Sequence, residues 1–484
     1  MSRVLLCTLA LLGVAGCGDN LDDPTTPIDP EPVAATCSDG ELATLLATQP
    51  GVASATEENC GPYVDAPARC FQLTLTQPID HAMPDGPSFA QRLFLVHRGC
   101  ERPMVVADWG YSNDLFYDDE LASLFHTNTL WIEHRYQGES VPAPDDWDWS
   151  ALTIENGATD MHGVITTLKA IYGGRWVSTG ASKGGITATY HSFFFKHDLD
   201  GSIPYVAPAS RSRIDPDYQG YLGAHMTSPC AQALRDAQVA ALTTRRAAMI
   251  AQLTPLVPAG YEPLFLEFLV EYTDWGFWQY YGKSYCSAVP TATSTDEAFF
   301  NFFRQVNGFP ARTPATDERS NAALDYEWLS EQGFALQIGE HVRDLLTMPT
   351  ATATMEDGFR AQYPDVDLPA YDGSVTRSVR HWVETRAQNM LFIYGELDPW
   401  SGGALEEPAH PTSARFFVPG ATHSAQIGGL ATAERTAALA HAERMFGEPP
   451  DLGNAHRAMA AGARRDEILS RTEGVMLWRL MRPR

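Results

Sequence analysis

A serine lies between two glycines where a short apolar run gives way to a helical pattern. The segment GASKG at residues 180–184 has the form G-x-S-x-G, with Ser182 at its centre. On a tight strand-to-helix turn a serine hydroxyl is exposed, and the glycines let neighbouring backbone come close. The N-terminus of the following helix favours negative charge that develops beside it. The pattern therefore predicts that Ser182 is a nucleophile.

A serine nucleophile needs a base, and the base needs an acid that orients it. When the serine comes first in the chain, the acid and then the histidine follow, each just after a strand. His423 has this placement, because it lies in the loop GATHS after the apolar run ARFFVP. Asp398 lies a few residues past the run NMLFIYG, and Glu396 is the alternative acid. We expect a triad of Ser182, Asp398 and His423.

The negative charge that forms on the attacked carbonyl oxygen needs two backbone N–H donors. The first expected donor is the N–H of Lys183, the residue after the predicted nucleophile. The second is expected in the loop after an early strand, at the N–H of Gly110 or Tyr111. The side chain of Lys183 is interpreted as a surface charge or an ion-pair partner. In the alternative, a Ser-Lys dyad, it would be the base.

The apolar patterns indicate the fold that must position these residues. Residues 70–99 predict an antiparallel hairpin with a loop around 84–86. Beyond residue 104, short continuous apolar runs are typical of strands buried on both faces, and helical patterns at 160–172 and 186–198 lie between some of them. We therefore expect an α/β fold, a largely parallel sheet with helices on both faces. The predicted strands of this part are MVVADW, NTLWIEH, RWVSTG, SIPYVA, NMLFIYG and ARFFVP.

The alternation of strands and helices is interrupted by a long helix-rich segment. Residues 214–385 are expected to form a mainly helical cap, inserted before the strand that precedes Asp398. Such a cap would cover the carboxyl edge of the sheet, where open α/β sheets bind ligands. The predicted α/β domain then comprises residues 37–213 and 386–450, and residues 451–484 are expected to form a helical extension.

The N-terminal sequence predicts export. Residues 1–16 have the form of a signal peptide, with an early arginine and an apolar run too short to span a bilayer. The run ends in Val-Ala-Gly-Cys, which resembles the lipobox of bacterial lipoproteins. Cys17 would then carry a lipid, and ordinary signal-peptide cleavage is the alternative. Residues 17–36 are acidic and proline-rich and are expected to form a flexible tether. We expect an outer-membrane lipoprotein or a periplasmic or extracellular protein.

Charge and cysteine content narrow the function classes. Sixty acidic and 34 basic side chains give a net charge of −26, which repels phosphate backbones, so we expect no nucleic-acid partner. Six cysteines remain after Cys7 in the predicted signal peptide and Cys17, and three disulfides are expected in an oxidising compartment. Their spacing matches no zinc pattern, and Cys230 is expected to pair with Cys286. No metal or cofactor is expected.

Several segments, taken in order, resemble one known family. These are QPIDH, FAQRLFLVHRG, EHRYQGES, LTIENGATD, STGASKGG, GELDPWSGG and VPGATHSAQI. They resemble serine peptidase family thirty-seven, the exported prolyl tri- and tetrapeptidyl aminopeptidases, and are similar in less detail to prolylcarboxypeptidase and dipeptidyl peptidase II. The resemblance covers roughly residues 70–445. It implies an α/β-hydrolase fold with a helical cap, peptide substrates with proline just before the cut, and a triad of Ser182, Asp398 and His423.

One position departs from the family pattern. The family usually has an acidic residue before the glycine of the oxyanion loop, and Trp109 stands there in this chain. A buried carboxylate is expected to bind the amino group of the substrate. Glu133 and Glu139, in and beside HRYQGES, are candidates for it, as are acids in the cap.

A proline pocket should be apolar and aromatic, because proline presents a compact ring without an N–H. Trp400 directly follows the Asp-Pro pair and is the first candidate to line it. Other candidates are cap aromatics, for which ordinary packing is the alternative: Trp275, Phe277, Trp278, Tyr280 and Tyr281.

The sequence thus predicts an exported serine exopeptidase that releases N-terminal tri- or tetrapeptides ending in proline. Two alternatives remain: a carboxylic-ester hydrolase with the same triad, and a catalytically silent surface binding protein.

Overall fold

The computed structural model describes residues 37–308, 318–337, 339–348, 355–454 and 457. The predicted signal peptide, Cys17 and the predicted tether lie outside the described residues. The same holds for nearly all of the predicted C-terminal extension beyond residue 454.

A mixed sheet forms the centre of the fold. The strands are β1 (Val52–Glu58), β2 (Arg69–Pro78), β3 (Ser88–His97), β4 (Met104–Asp108), β5 (Asn128–Ile132), β6 (Trp176–Ala181), β7 (Gly201–Tyr205), β8 (Ile214–Asp215), β9 (Phe334–Ala335), β10 (Leu391–Gly395) and β11 (Ala414–Val418). Nine of them form one sheet in the order β1-β2-β3-β5-β4-β6-β7-β10-β11, and β8 pairs with β9 separately. The pairings from β1 to β5 are antiparallel and those from β5 to β11 are parallel.

This strand order, with a strand-to-helix turn after β6, is that of the α/β-hydrolase fold. The prediction of an α/β-hydrolase sheet is confirmed. The predicted hairpin is also confirmed, because β2 and β3 pair from Arg69 opposite His97 to Pro78 opposite Ser88. The strand β1 was not predicted, since most of its side chains face solvent and give it no continuous apolar run.

Fifteen α-helices occur in the described part of the chain. They are α1 (Leu42–Ala47), α2 (Glu120–Phe125), α3 (Ile154–Lys169), α4 (Lys183–Phe194), α5 (Asp217–His225), α6 (Pro229–Leu242), α7 (Arg246–Leu253), α8 (Glu262–Glu271), α9 (Thr273–Gly276), α10 (Asp296–Val306), α11 (Glu318–Glu327), α12 (Glu340–Arg343), α13 (Met355–Gln362), α14 (Ser374–Thr385) and α15 (Thr432–Phe446). Two of them begin before their predicted starts. Thr153 caps α3 by accepting the N–H of Asn156, and α4 starts directly after Ser182.

Helices cover both faces of the central sheet. Met104 and Val106 of β4 pack in one apolar cluster with residues of α3. Val105 and Ala107, which point to the other face, pack in a second cluster with residues of α15. Because successive side chains of a strand alternate between faces, a strand covered on both sides needs a continuous apolar run. This explains the apolar runs in the sequence.

The chain between β7 and β10 carries α5 to α14. Its helices have a core of their own, in which Leu269 of α8 and Phe303 of α10 are fully buried. Two π-helical turns, Phe277–Tyr281 and Trp328–Gln332, directly follow α9 and α11. Turns of this type are rare and occur frequently at functional sites.

Three disulfides link the cysteines of the described chain: Cys37–Cys100, Cys60–Cys70 and Cys230–Cys286. The expectation of three disulfides and the pairing of Cys230 with Cys286 are confirmed. Disulfides of this number are typical of an exported protein. Among the described residues, no helix has the length and apolar character needed to cross a bilayer.

Candidate active site

Ser182 lies on a sharp turn between β6 and α4. Its backbone has φ 56° and ψ −126°, a combination that costs energy for any residue with a side chain. Gly180 also has positive φ, and a Cβ on Gly184 would come within 2.8 Å of the carbonyl oxygen of Trp109. The two glycines of the motif therefore allow the turn to pack tightly on its neighbours. Ser182 lines the cavity described below.

Asp398 and His423 are brought together from the loops that follow β10 and β11. Nδ1 of His423 lies 2.7 Å from Oδ2 of Asp398, and both side chains are buried. The backbone N–H of Trp400 donates to Oδ1 of Asp398 at 3.1 Å, and the N–H of His423 donates to the carbonyl of Gln279 at 3.0 Å. With Nδ1–H directed at the carboxylate, Nε2 is the nitrogen that can accept a proton.

Glu396, the alternative acid of the triad, has a different hydrogen-bond partner. Glu396 accepts the backbone N–H of Gly420 at 2.6 Å through a carboxylate oxygen. Asp398, rather than Glu396, is the carboxylate in contact with His423.

The loop after β4 lies against the start of α4. Gly110 has φ 78°, and a Cβ there would lie 2.8 Å from the backbone nitrogen of Gly184. The N–H of Gly110 donates to Oδ1 of Asp108 at 2.9 Å. Of the two candidates for the second oxyanion donor, Gly110 and Tyr111, the first is therefore already hydrogen-bonded. The hydroxyl of Tyr111 lies 3.5 Å from Oγ of Ser182.

Trp109, the departure from the family pattern, belongs to the core. Its indole is 1 % exposed and makes edge contacts with Tyr117 and Trp131 at centroid distances of 5.4 and 5.8 Å. An acidic residue does occur one position earlier, at Asp108, the last residue of β4. It accepts hydrogen bonds within the protein and is also buried.

The side chain of Lys183 is buried rather than on the surface. Its Nζ lies 2.9 Å from Oε2 of Glu327, the last residue of α11. An ammonium group paired with a carboxylate has no free lone pair with which to take a proton. Of the alternatives that the sequence left for this side chain, an ion-pair partner fits the geometry, and the base of a Ser-Lys dyad does not.

A small pocket lies beside Ser182, and we call it the cavity. Aromatic side chains from separate parts of the chain dominate its wall, namely Trp328 from the second π-helical turn, Phe334 from β9, and Trp400. Its lining is Tyr111, Ser182, Lys183, Ile186, Pro208, Ser210, Tyr218, Trp328, Gln332, Gly333, Phe334 and Trp400. Trp328 and Phe334 were not among the residues predicted from the sequence. No motif near either residue indicates that it packs beside Ser182, which is far away in the chain.

The other aromatic residues proposed for the proline pocket do not line this cavity. Trp275 contacts the ring of Trp400 at a centroid distance of 5.1 Å, behind the cavity wall. Phe277 and Trp278 pack in the core of the helical segment. The hydroxyl of Tyr280 accepts a hydrogen bond from Gln279, and that of Tyr281 donates to the carbonyl of Gln305.

Glu133 and Glu139 both contact Arg92 and do not line this cavity. Glu133 is fully buried, 2.7 Å from the guanidinium, and accepts the N–H groups of Asn113 and Ser140. Glu139 is largely exposed. Within the described ranges, no three or more His, Cys, Asp or Glu side chains converge as a metal site.

Comparisons with known proteins identify the family of this chain. The sequence profile of the family PS-10 peptidase S37 matches residues 38–452. A prolyl tri/tetrapeptidyl aminopeptidase of Streptomyces mobaraensis is 28% identical over 467 residues, which cover 93% of this chain and 92% of that protein.

Solved structures that match much of this chain have low sequence identity to it. A proline iminopeptidase of Mycobacterium smegmatis is 14% identical, covering 81% of this chain and 100% of its own, with a TM-score of 0.33. A peroxisomal alpha-beta-hydrolase of Saccharomyces cerevisiae is 12% identical, covering 84% and 98%, with a TM-score of 0.36. The fold is assigned from the strand order of the central sheet. By the match to its profile over most of its length, the chain belongs to the PS-10 peptidase S37 family and is a serine hydrolase.

Proposed function

We propose that this protein is an exported serine peptidase that removes tri- or tetrapeptides ending in proline from the N-terminus of its substrates. The observation that carries the proposal is the buried Asp398–His423 pair, 2.7 Å apart, in a hydrolase whose strained Ser182 faces an aromatic cavity. The name of the Streptomyces mobaraensis relative supports the preference for proline.

In the proposed mechanism, Oγ of Ser182 attacks the carbonyl carbon of the proline residue. Nε2 of His423 takes the hydroxyl proton and gives it to the leaving amine, so that the peptide bond breaks and an acyl-enzyme forms. Asp398 holds the imidazole in the required tautomer and stabilises its positive charge. A water molecule, deprotonated by His423, then attacks the ester and releases the short peptide from Ser182.

Two backbone donors would stabilise the oxyanion. The N–H of Lys183 is the first, at the positive end of α4. The N–H of Tyr111 is the second, because that of Gly110 donates to Asp108. Each donor of this kind is worth roughly 3–4 kcal/mol of transition-state stabilisation.

The shape and chemistry of the cavity support a proline subsite. Trp328, Phe334 and Trp400 offer apolar ring faces. Proline has no backbone N–H, so a pocket that binds it needs no hydrogen-bond acceptor for that group. Glu133 and Glu139 already pair with Arg92. We therefore expect the carboxylate that binds the substrate amine to come from the helical segment between β7 and β10.

The proposal includes an N-terminal lipid. Cleavage before Cys17 and acylation of its thiol would tether the enzyme to a membrane through residues 17–36. Expression in a bacterial host, followed by fractionation, tests this: Cys17→Ala should move the enzyme from the membrane fraction to the periplasmic or medium fraction. An unchanged distribution would contradict the lipid.

The substrate proposal is tested with four compounds and two proteins. Ala-Ala-Pro-p-nitroanilide with a free N-terminus is compared with its N-blocked form, with Ala-Pro-p-nitroanilide and with p-nitrophenyl acetate, using wild type and Ser182→Ala. We expect preference for the free tripeptide, and loss of its cleavage in the variant. Ester cleavage without any anilide cleavage would retain the serine chemistry and contradict the peptidase.

A further inference from the structure

Four buried charged side chains form a continuous chain beside the proposed oxyanion donors. Oδ2 of Asp108 lies 2.8 Å from Nδ1 of His134, whose Nε2 lies 3.1 Å from Oε2 of Glu327. The same oxygen of Glu327 lies 2.9 Å from Nζ of Lys183. All four side chains are at most 4 % exposed. We call this set the buried tetrad.

The buried tetrad joins four separate parts of the fold. Asp108 ends β4, His134 follows β5, and Lys183 begins α4, whereas Glu327 is the last residue of α11 in the helical segment between β7 and β10. Glu327 is therefore the single member that comes from this helical segment. It is also tied to the cavity, since Nε2 of Gln332, a lining residue, donates to its Oε1 at 2.6 Å.

The two ends of the buried tetrad act on the two halves of the proposed oxyanion hole. Asp108 accepts the N–H of Gly110 and so fixes the loop that contains Tyr111. The side chain of Lys183 is attached to the residue whose own N–H is the first proposed donor. Gly110 and Gly184 pack so closely that a movement of either half would displace the other.

The protonation states make the buried tetrad neutral overall. Burial opposes the charged form of His134, but the carboxylates of Asp108 and Glu327 outweigh it and raise the pKa of the imidazole to about 9. Burial likewise opposes ionisation of Glu327, but Lys183 and His134 lower the pKa of its carboxyl to about 2. Two anions and two cations then balance at neutral pH. Removal of one charge would leave an uncompensated charge in the interior, which is costly.

We propose that Glu327 is a positioning residue, which holds the N–H of Lys183 and the loop of Tyr111 in the geometry that stabilises the oxyanion. Because Lys183 donates to an oxyanion only in the proposed function, this role of Glu327 rests on that function. The oxyanion exists in the transition state and not in the bound substrate, so misplaced donors lower kcat and leave KM nearly unchanged.

The test compares Glu327→Gln with a matched control, Glu267→Gln, in the full-length protein. Glu267 is also a buried carboxylate of the helical segment; it pairs with Arg246 and accepts the N–H of Thr347 at 2.8 Å. Both variants remove one buried negative charge, and only Glu327 contacts the nucleophile turn. We expect Glu327→Gln to lower kcat roughly 10- to 100-fold on both the tripeptide anilide and p-nitrophenyl acetate, with KM within about threefold. Glu267→Gln should keep its kcat even where its Tm falls.

A double variant separates positioning from stability. Lys183→Met combined with Glu327→Gln removes both partners of the ion pair, so no unpaired charge remains and Tm should recover relative to Glu327→Gln. A positioning role predicts that kcat stays low in this folded protein. Recovery of kcat together with Tm, or an unchanged kcat in Glu327→Gln, would overturn the proposal.

A failure of the proposed function would give a different experimental result from a failure of the role of Glu327. Wild type that cleaves the ester and no anilide contradicts the peptidase assignment, and the kcat comparison on the ester still decides the role of Glu327. Wild type that cleaves neither compound overturns both the proposed function and the role of Glu327.

Discussion

Nδ1 of His423 lies 2.7 Å from Oδ2 of Asp398, and neither side chain is more than 1 % exposed. A buried carboxylate in this position fixes the tautomer of the imidazole and stabilises it once it is protonated. The contact also joins the loops after β10 and β11, which are far apart in the chain. It is the part of the site on which the proposed proton transfer depends.

Asp398→Asn should preserve the shape of this contact and remove its charge. The amide would favour the wrong imidazole tautomer, so we expect kcat to fall about 10⁴-fold with KM little changed. Steady-state kinetics with the tripeptide anilide measures this. The control is Glu396→Gln, which alters a carboxylate two residues away that bonds the N–H of Gly420 instead. A comparable loss in the control would contradict the assignment of Asp398.

Gly110→Ala tests the close approach of the oxyanion loop to α4. The new Cβ would lie 2.8 Å from the backbone nitrogen of Gly184, and φ at this position is 78°. We expect kcat to fall at least about tenfold, because both proposed donors would shift. Gly61→Ala is the matched control: φ is 73° and nothing lies within 4 Å of the added Cβ. It should lose about 1–2 kcal/mol of stability through backbone strain and keep its activity.

His134 should make stability fall at alkaline pH. Its folded-state pKa, about 9, exceeds the ordinary value of 6.5 because of Asp108 and Glu327. Protonated His134 therefore adds to stability below about pH 6.5, and this contribution is lost as pH rises through about 9. Between these values the free energy of unfolding should fall by roughly 2–3 kcal/mol more in wild type than in His134→Gln.

Urea unfolding at a series of pH values measures this difference. His341→Gln is the control, since burial lowers the pKa of His341 to about 4 and that imidazole does not titrate in this range. Equal slopes for wild type and His134→Gln would show that His134 is not held in its charged form.

Trp328→Leu tests the proposed proline subsite. Trp328 lines the cavity beside Ser182, and loss of its ring should raise KM for the tripeptide anilide roughly 10-fold while hydrolysis of p-nitrophenyl acetate changes little. Trp382→Leu is the control, because Trp382 packs on Phe193 outside the cavity. Equal losses on both substrates in Trp328→Leu would indicate a general packing defect.

The sequence signals for the proposed reacting residues are local. Ser182 lies in a short motif after a buried strand, and Asp398 and His423 follow strands in the order that the fold requires. The sheet is predictable for a similar reason: strands buried on both faces carry continuous apolar runs. The α/β-hydrolase sheet is confirmed, and so is the pairing of Cys230 with Cys286, which was expected because both cysteines lie in the same later segment.

Other residues beside Ser182 were beyond prediction, because tertiary structure alone brings them to the site. Glu327, Trp328 and Phe334 reach the site from a helical segment more than 140 positions further along the chain, by way of a π-helical turn. Glu133 was a candidate for binding the substrate amine. The antiparallel register of β3 and β5 instead places it beside Arg92, and the sequence does not reveal that register.

The central claim is that Ser182 is an activated nucleophile. Incubation of the folded protein with a fluorophosphonate, followed by intact and peptide mass spectrometry, tests it most directly. We predict one covalent adduct on Ser182, no adduct in Ser182→Ala, and slower labelling in Asp398→Asn. The absence of an adduct from active, folded wild type, or an adduct on another residue that persists in Ser182→Ala, would contradict the account.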